Sequence, residues 1–164
     1  MIYIAILKIL SIWGCVSIQQ VERSFRKALE SGGTELLNVV DQLLGPKPVL
    51  KIGGTTTTAY RRVHEVLASV LDFASQAAAQ ATDEKSWDTV ARRLAVELSR
   101  AKVIVNYQLA RDQISQDIAT LLNEMLSSIG NALERRQREQ VQHLAERGRV
   151  LIDALAVLVY RFGR

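Results

Sequence analysis

Residues 82–111 read TDEKSWDTVARRLAVELSRAKVIVNYQLAR, and this stretch decides the fold. Trp87, Ala91, Leu94, Leu98, Ala101 and Val105 recur at heptad spacing, which lays them along one face of a long helix. Thr82 opens that helix, and the acids of Asp83-Glu84-Lys85 suit the positive end of its dipole. Neither Gly nor Pro interrupts it, and a single apolar seam of this length asks for further helices to cover it.

Working upstream, a second long helix runs from about Thr58 to Ala81, with Thr57 or Thr58 as N-cap and Val63, Val66, Leu67, Val70, Leu71 and Ala74 turned inward. Residues 45–56 (GPKPVLKIGGTT) hold both prolines and form the one clear loop. Before it, Val21, Phe25 and Leu29 mark a helix that stops at Gly32-Gly33. Thr34 then caps a short helix with Leu36, Leu37, Val40, Leu43 and Leu44 on its inner face. Downstream, about 113–129 presents Ile114, Ile118, Leu121, Leu122, Met125 and Ile129. Gly130-Asn131 predicts a break before a last helix through Leu133, Val141, Leu144 and the apolar block Val150–Tyr160. The expectation is an all-α, up-and-down bundle of about five helices in a single domain over 19–164, with no sheet in 57–164.

Composition agrees. A chain of 164 residues, 48% apolar and 23% charged, suffices for one compact domain with a real core. A single Cys argues against a disulfide framework and a four-ligand zinc site. Seventeen acids offset twenty-one bases to leave +4, spread thinly with no basic tail, so any nucleic-acid binding rests on how the fold arranges individual arginines.

Residues 2–18 (IYIAILKILSIWGCVSI) are almost wholly apolar. A signal peptide needs positive charge ahead of such a run, and the only Lys, Lys8, lies inside it. Ile12-Trp13-Gly14-Cys15 loosely resembles a lipoprotein cleavage site, but Trp fits that place poorly. The run is shorter than the roughly 20 residues of a membrane span and carries a charge, so no membrane insertion is expected. Segment 1–18 therefore reads as a core element or as chain upstream of the natural start, with Cys15 a buried thiol.

Catalytic patterns are missing. His64 and His143 lie far apart with no HExxH partner, so no metal site is expected. Ser31-Gly32-Gly33 and Ile52-Gly53-Gly54 lack phosphate-loop spacing and read as a helix stop and a turn. Asp88 with Arg92 and Glu134 with Arg138 read as solvated i,i+4 pairs, and Arg135-Arg136-Gln137-Arg138-Glu139 as a solvated face. No enzyme and no cofactor is expected.

The remaining signal is a stripe. Arg93, Arg100, Tyr107 and Arg111 fall within about 40° of one line on the 83–111 helix, roughly opposite its core seam. Such an Arg–aromatic line suits a sugar-phosphate backbone and a stacked base, whereas the plainer alternative is a snorkelling Arg edge beside a core Tyr. Arg61-Arg62 on the preceding helix carries the same two readings. Lys102, nine residues from Arg111, falls on the opposite side of a straight helix.

Three segments also resemble a known family, the small helical-bundle subunit of type III-A CRISPR–Cas (Csm) interference complexes. Thr57-Thr58-Ala59-Tyr60-Arg61-Arg62-Val63 resembles its first helix, with Arg at the place of Arg61. Lys102-Val103-Ile104-Val105-Asn106-Tyr107-Gln108-Leu109-Ala110-Arg111 is similar to its central motif of Tyr, two residues, a small residue and Arg. Leu155-Ala156-Val157-Leu158-Val159-Tyr160-Arg161-Phe162 is similar to its closing helix, although Leu155 stands where Glu is common. The small residue before Arg111 is Ala where Gly is frequent, and residues 1–50 match nothing in the family.

The resemblance spans about 56–164 and implies a non-catalytic, cytoplasmic subunit. Several copies would stack beside other Csm subunits along CRISPR RNA and target RNA and touch the duplex without reading sequence. The candidate RNA-binding residues are Arg61, Arg62, Arg100, Lys102, Tyr107 and Arg111, with Arg61 and Arg111 taken from the resemblance and Arg100 and Tyr107 from the stripe. The rivals are the small subunit of a type III-B or I-A effector, a filament or capsid protein with no RNA role, and a membrane-anchored protein resting on residues 2–18 alone.

Overall fold

The structure is a computed structural model that describes residues 18–164. The expectations for residues 1–17, including the buried thiol of Cys15, lie outside the described residues. Six helices and no strand are found among the described residues: α1 Ile18–Ser31, α2 Gly33–Leu43, α3 Thr57–Gln80, α4 Glu84–Ala110, α5 Gln116–Glu134 and α6 Arg138–Phe162. The all-α bundle is as expected, with six helices in place of about five.

The helix ends show why the boundaries fall where they do. Thr56, not Thr57 or Thr58, caps α3 by accepting from the Ala59 N–H at 3.2 Å. Asp83, not Thr82, caps α4, and Ser86 completes a capping box with it. Thr34 does not cap α2, because the chain already turns helical at Gly33 after Gly32 adopts φ 65°. That left-handed turn is held from outside. Arg147 of α6 donates to the carbonyls of Leu29 (2.8 Å) and Glu30 (2.6 Å), and a Cβ on Gly32 would sit 2.7 Å from its Nε. Arg161 does the same for α2, donating to Leu44 O and Gly45 O.

Two further expectations need correction. Gly130-Asn131 does not break the chain: α5 runs through it to Glu134, and the turn falls at Arg135-Arg136-Gln137, with Arg136 at φ 58°. On α2 the inner face is rotated, with Val39 and Leu43 buried while Leu37 (63%) and Leu44 (40%) are exposed. The face that meets α1 and α6 is 36-39-40-43, which an i, i+3, i+4, i+7 count also allows.

The core is continuous through all six helices. The Trp87–Leu94–Leu98–Ala101–Val105 seam of α4 is buried as expected, and so are Val63, Leu67, Val70, Leu71 and Ala74 of α3. α6 forms the centre by packing along α3. Tyr60 is buried at that contact and donates its hydroxyl to Ile152 O at 2.9 Å. Burial pushes the Tyr60 phenol far above its ordinary range, with the nearby Asp153 charge acting the same way, so it stays a neutral donor. Gly148 lets α6 approach closely, since a Cβ there would lie 2.7 Å from Met125 Sδ. No helix among the described residues is long and apolar enough to cross a membrane.

Candidate nucleic-acid interface

The three segments that carry the resemblance, far apart in sequence, meet at one end of the bundle. There the N-terminus of α3, the C-terminus of α4 and the C-terminus of α6 are stitched by backbone bonds. The Thr57 N–H donates to Arg164 O (2.8 Å), Arg164 N–H to Thr55 O (2.9 Å) and Thr56 N–H to Gln113 O (3.0 Å). Thr55 is fully buried, and its Oγ1 accepts from the Ser115 N–H at 2.8 Å. This junction fixes the loop after Arg111, where Asp112 takes the left-handed region at φ 53°.

α3 and α4 run antiparallel, and between them lies an open groove of about 930 Å³. Val66 and Val70 of α3 and Val96, Val103 and Ile104 of α4 make its apolar walls. Its charged lining is Glu65, Glu97 and Arg100. Each acid holds an arginine of its own helix: Arg61 Nε to Glu65 Oε1 at 3.0 Å, and Arg100 Nη1 to Glu97 Oε1 at 3.2 Å. Both arginine side chains remain about 70% exposed, at 72% and 69%.

Farther along α4, the Arg111 guanidinium lies 5.4 Å from the centre of the Tyr107 ring and donates to its hydroxyl at 3.2 Å. Tyr107 is 52% exposed, so it is not the core Tyr of the plainer alternative. Arg93, at the far end of the stripe, stacks over Phe73 of α3 at 4.5 Å. The stripe is therefore real as a surface line, with Val96 and Val103 standing exposed within it.

The predicted residues divide cleanly. Arg61, Arg100, Tyr107 and Arg111 are exposed on the α3–α4 side or at the stitched end, and Arg62 is exposed beside Arg61. Lys102 separates from them. α4 is unbroken from Glu84 to Ala110, so Lys102 points away from the Arg100–Arg111 line and is half-buried. One turn on from it, Asn106 bonds Asn123 of α5, which marks that flank as the α5 contact. Lys102 and Arg111 cannot line one groove.

Sequence reasoning missed the groove itself and the acids that hold Arg61 and Arg100, although their i+4 and i−3 spacings were readable. It also misassigned two pairs. Asp88 binds Arg136 of the α5–α6 turn at 2.6 Å instead of Arg92. Arg138 donates to Ala81 O instead of pairing with Glu134, so the 135–139 run is a structural turn as well as a solvated one.

His64 belongs to a separate cluster on the α3–α6 contact, with Nε2 2.7 Å from Asp153 Oδ1, while Arg149 bridges Asp153 and Asp72. Partial burial works to raise the Asp153 carboxyl. Hydrogen bonds from Arg149 and His64, with their charges, outweigh it and hold the carboxyl below its ordinary range. Among the described residues no group of three or more His, Cys, Asp or Glu is placed to hold a metal ion.

The fold and surface define an all-helical bundle bearing an arginine–aromatic line along an open groove. No protein-family model, no curated protein and no solved structure matches the chain.

Proposed function

We propose that this chain is a non-catalytic, cytoplasmic small subunit of a type III-A CRISPR ribonucleoprotein effector complex. Several copies stack along the guide–target RNA duplex beside other Csm subunits, with no membrane partner, and contact backbone without reading sequence. The observation that carries this reading is the convergence of the three family-like segments at one end of the bundle, with Arg61, Tyr107 and Arg111 exposed there and Arg100 in the adjoining groove. The pairings of Arg61 and Arg100 do not oppose it. Exposed ion pairs are worth about 0–1 kcal/mol, so a phosphate recruits either arginine at little expense. Arg111 over Tyr107 offers a guanidinium and a π-face together, which suits a phosphate and an adjacent base.

The test is target-RNA binding by the assembled complex across a salt series, comparing wild type with Arg61→Ala, Arg100→Ala and Arg111→Ala. Each lost phosphate contact weakens binding uniformly across sequences and reduces the salt slope by about one. Unchanged affinity and slope in all three, with the complex intact, refutes the assignment.

A second reading, a structural all-α protein assembling through α4, draws on the exposure of Val96 (50%) and Val103 (66%). It predicts self-association without RNA and no guide RNA on purification.

A further inference from the structure

The exposed arginines on this side of the bundle do not share one electrostatic setting. Arg61 and Arg100 each carry an acid of their own helix, Glu65 one turn on at 3.0 Å and Glu97 one turn back at 3.2 Å. Arg111 has no acidic partner among the described residues, and its guanidinium meets the Tyr107 ring and hydroxyl instead. The first two arginines therefore sit in neutral pairs, while the third presents its full charge.

The two acids are also placed where a phosphate would pass. Glu65 and Glu97 line the α3–α4 groove together with Arg100. A phosphate that accepts from the Arg61 Nε or the Arg100 Nη1 must displace the carboxylate already bonded to that atom. It must otherwise share the guanidinium with a like charge a few ångströms away, and that repulsion opposes binding. Nothing comparable stands in the way at Arg111.

We propose that Glu65 and Glu97 are positioning residues that restrain the RNA surface, each holding its arginine in the groove and competing with phosphate for it. The inference rests on the RNA reading given above and deepens it. Backbone pairs freely with Arg111 and only in competition with Arg61 and Arg100. A single copy is thereby kept a weak binder, and strong binding is reserved for several copies joined in one complex, where each further contact forms at high effective concentration.

Target-RNA binding by the assembled complex at constant salt tests this with Glu65→Gln and Glu97→Gln. Both keep the side-chain shape and a neutral acceptor while removing the charge. Each is expected to tighten binding about two- to fivefold, the range that release of an ordinary exposed ion pair allows, with the complex intact. Glu84→Gln removes an equal charge about 20 Å away along α4, beyond the screening length, and leaves affinity unchanged. In an Arg100→Ala background Glu97→Gln loses most of its gain, because no guanidinium remains to be released. Unchanged or weaker binding in either Gln variant at the groove, an equal gain from Glu84→Gln, or the same Glu97→Gln gain with and without Arg100 overturns the proposal. A complex indifferent to Arg61→Ala, Arg100→Ala and Arg111→Ala fails the RNA reading itself. A complex weakened by those three but indifferent to the groove Gln variants fails this inference alone.

Discussion

Gly148→Ala opposes two effects of similar size at one buried atom. Gly148 lies inside α6, where replacing Gly by Ala stabilises a helix by about 0.5–1 kcal/mol. Here the new methyl falls 2.7 Å from Met125 Sδ and 3.3 Å from its Cγ, with Leu71 Cδ2 at 3.5 Å behind. Ordinary carbon–sulfur contact needs roughly a further ångström. Met125 is fully buried in α5 and has no solvent to retreat into. Overpacking of this kind costs about 1–3 kcal/mol. The net expectation is a loss of about 1 kcal/mol, read as a fall in Tm of about 2–4 °C for a domain of this size.

Urea unfolding followed by circular dichroism measures it, and a cycle with Met125→Ala isolates the contact. Met125→Ala alone costs about 2–5 kcal/mol through its cavity, and less in the Gly148→Ala background because the added methyl occupies part of that space. A Gly148→Ala variant more stable than wild type, or strict additivity in the cycle, refutes the close approach of α5 and α6 at this point.

Three further outcomes follow from the same packing. Tyr60→Phe loses the buried hydroxyl bond to Ile152 O and lowers unfolding free energy by about 0.5–1.5 kcal/mol, with no change in helix content by circular dichroism. Thr56→Ala removes the α3 cap and costs about 1 kcal/mol in the same denaturation assay, and a neutral result would show that the stitched junction alone holds that helix end. Asp153 has a carboxyl lowered in the folded state, so its contribution is present above the unfolded carboxylate pKa and disappears as pH falls through the folded value. Stability therefore drops on acidification, and Asp153→Asn makes the wild-type and variant curves converge at low pH.

The α4 stretch 82–111 was decisive as sequence because its apolar seam repeats over many turns, and a long helix averages out local ambiguity. The seam residues of α3, α4 and α5 were readable for the same reason, as were the 45–56 loop from its prolines and the stop at Gly32-Gly33. The Arg93–Arg100–Tyr107–Arg111 line was readable too, since residues on one rigid helix keep their angular order whatever surrounds them. The exclusion of Lys102 from that line followed from the same arithmetic once α4 proved unbroken.

What sequence left open depended on partners from other helices. The exact N-caps at Thr56 and Asp83 turned on which of several adjacent hydroxyl and carboxylate groups met a free N–H. The passage of α5 through Gly130-Asn131 was decided by burial of Ile129 and Ala132 on either side, which outweighs the local preference of Gly for a break. Leu37 and Leu44 lost their place on the inner face to Val39 because α1 and α6 approach α2 from a direction that a short helix does not encode. Nothing local in the sequence marks Arg147 or Arg161 for the role, yet each caps a helix end more than a hundred residues away. Periodicity within a helix is local and survives translation into sequence. Which helix lies opposite, and therefore which exposed arginine, groove wall or carbonyl finds a neighbour, is a non-local choice made by packing the whole bundle at once.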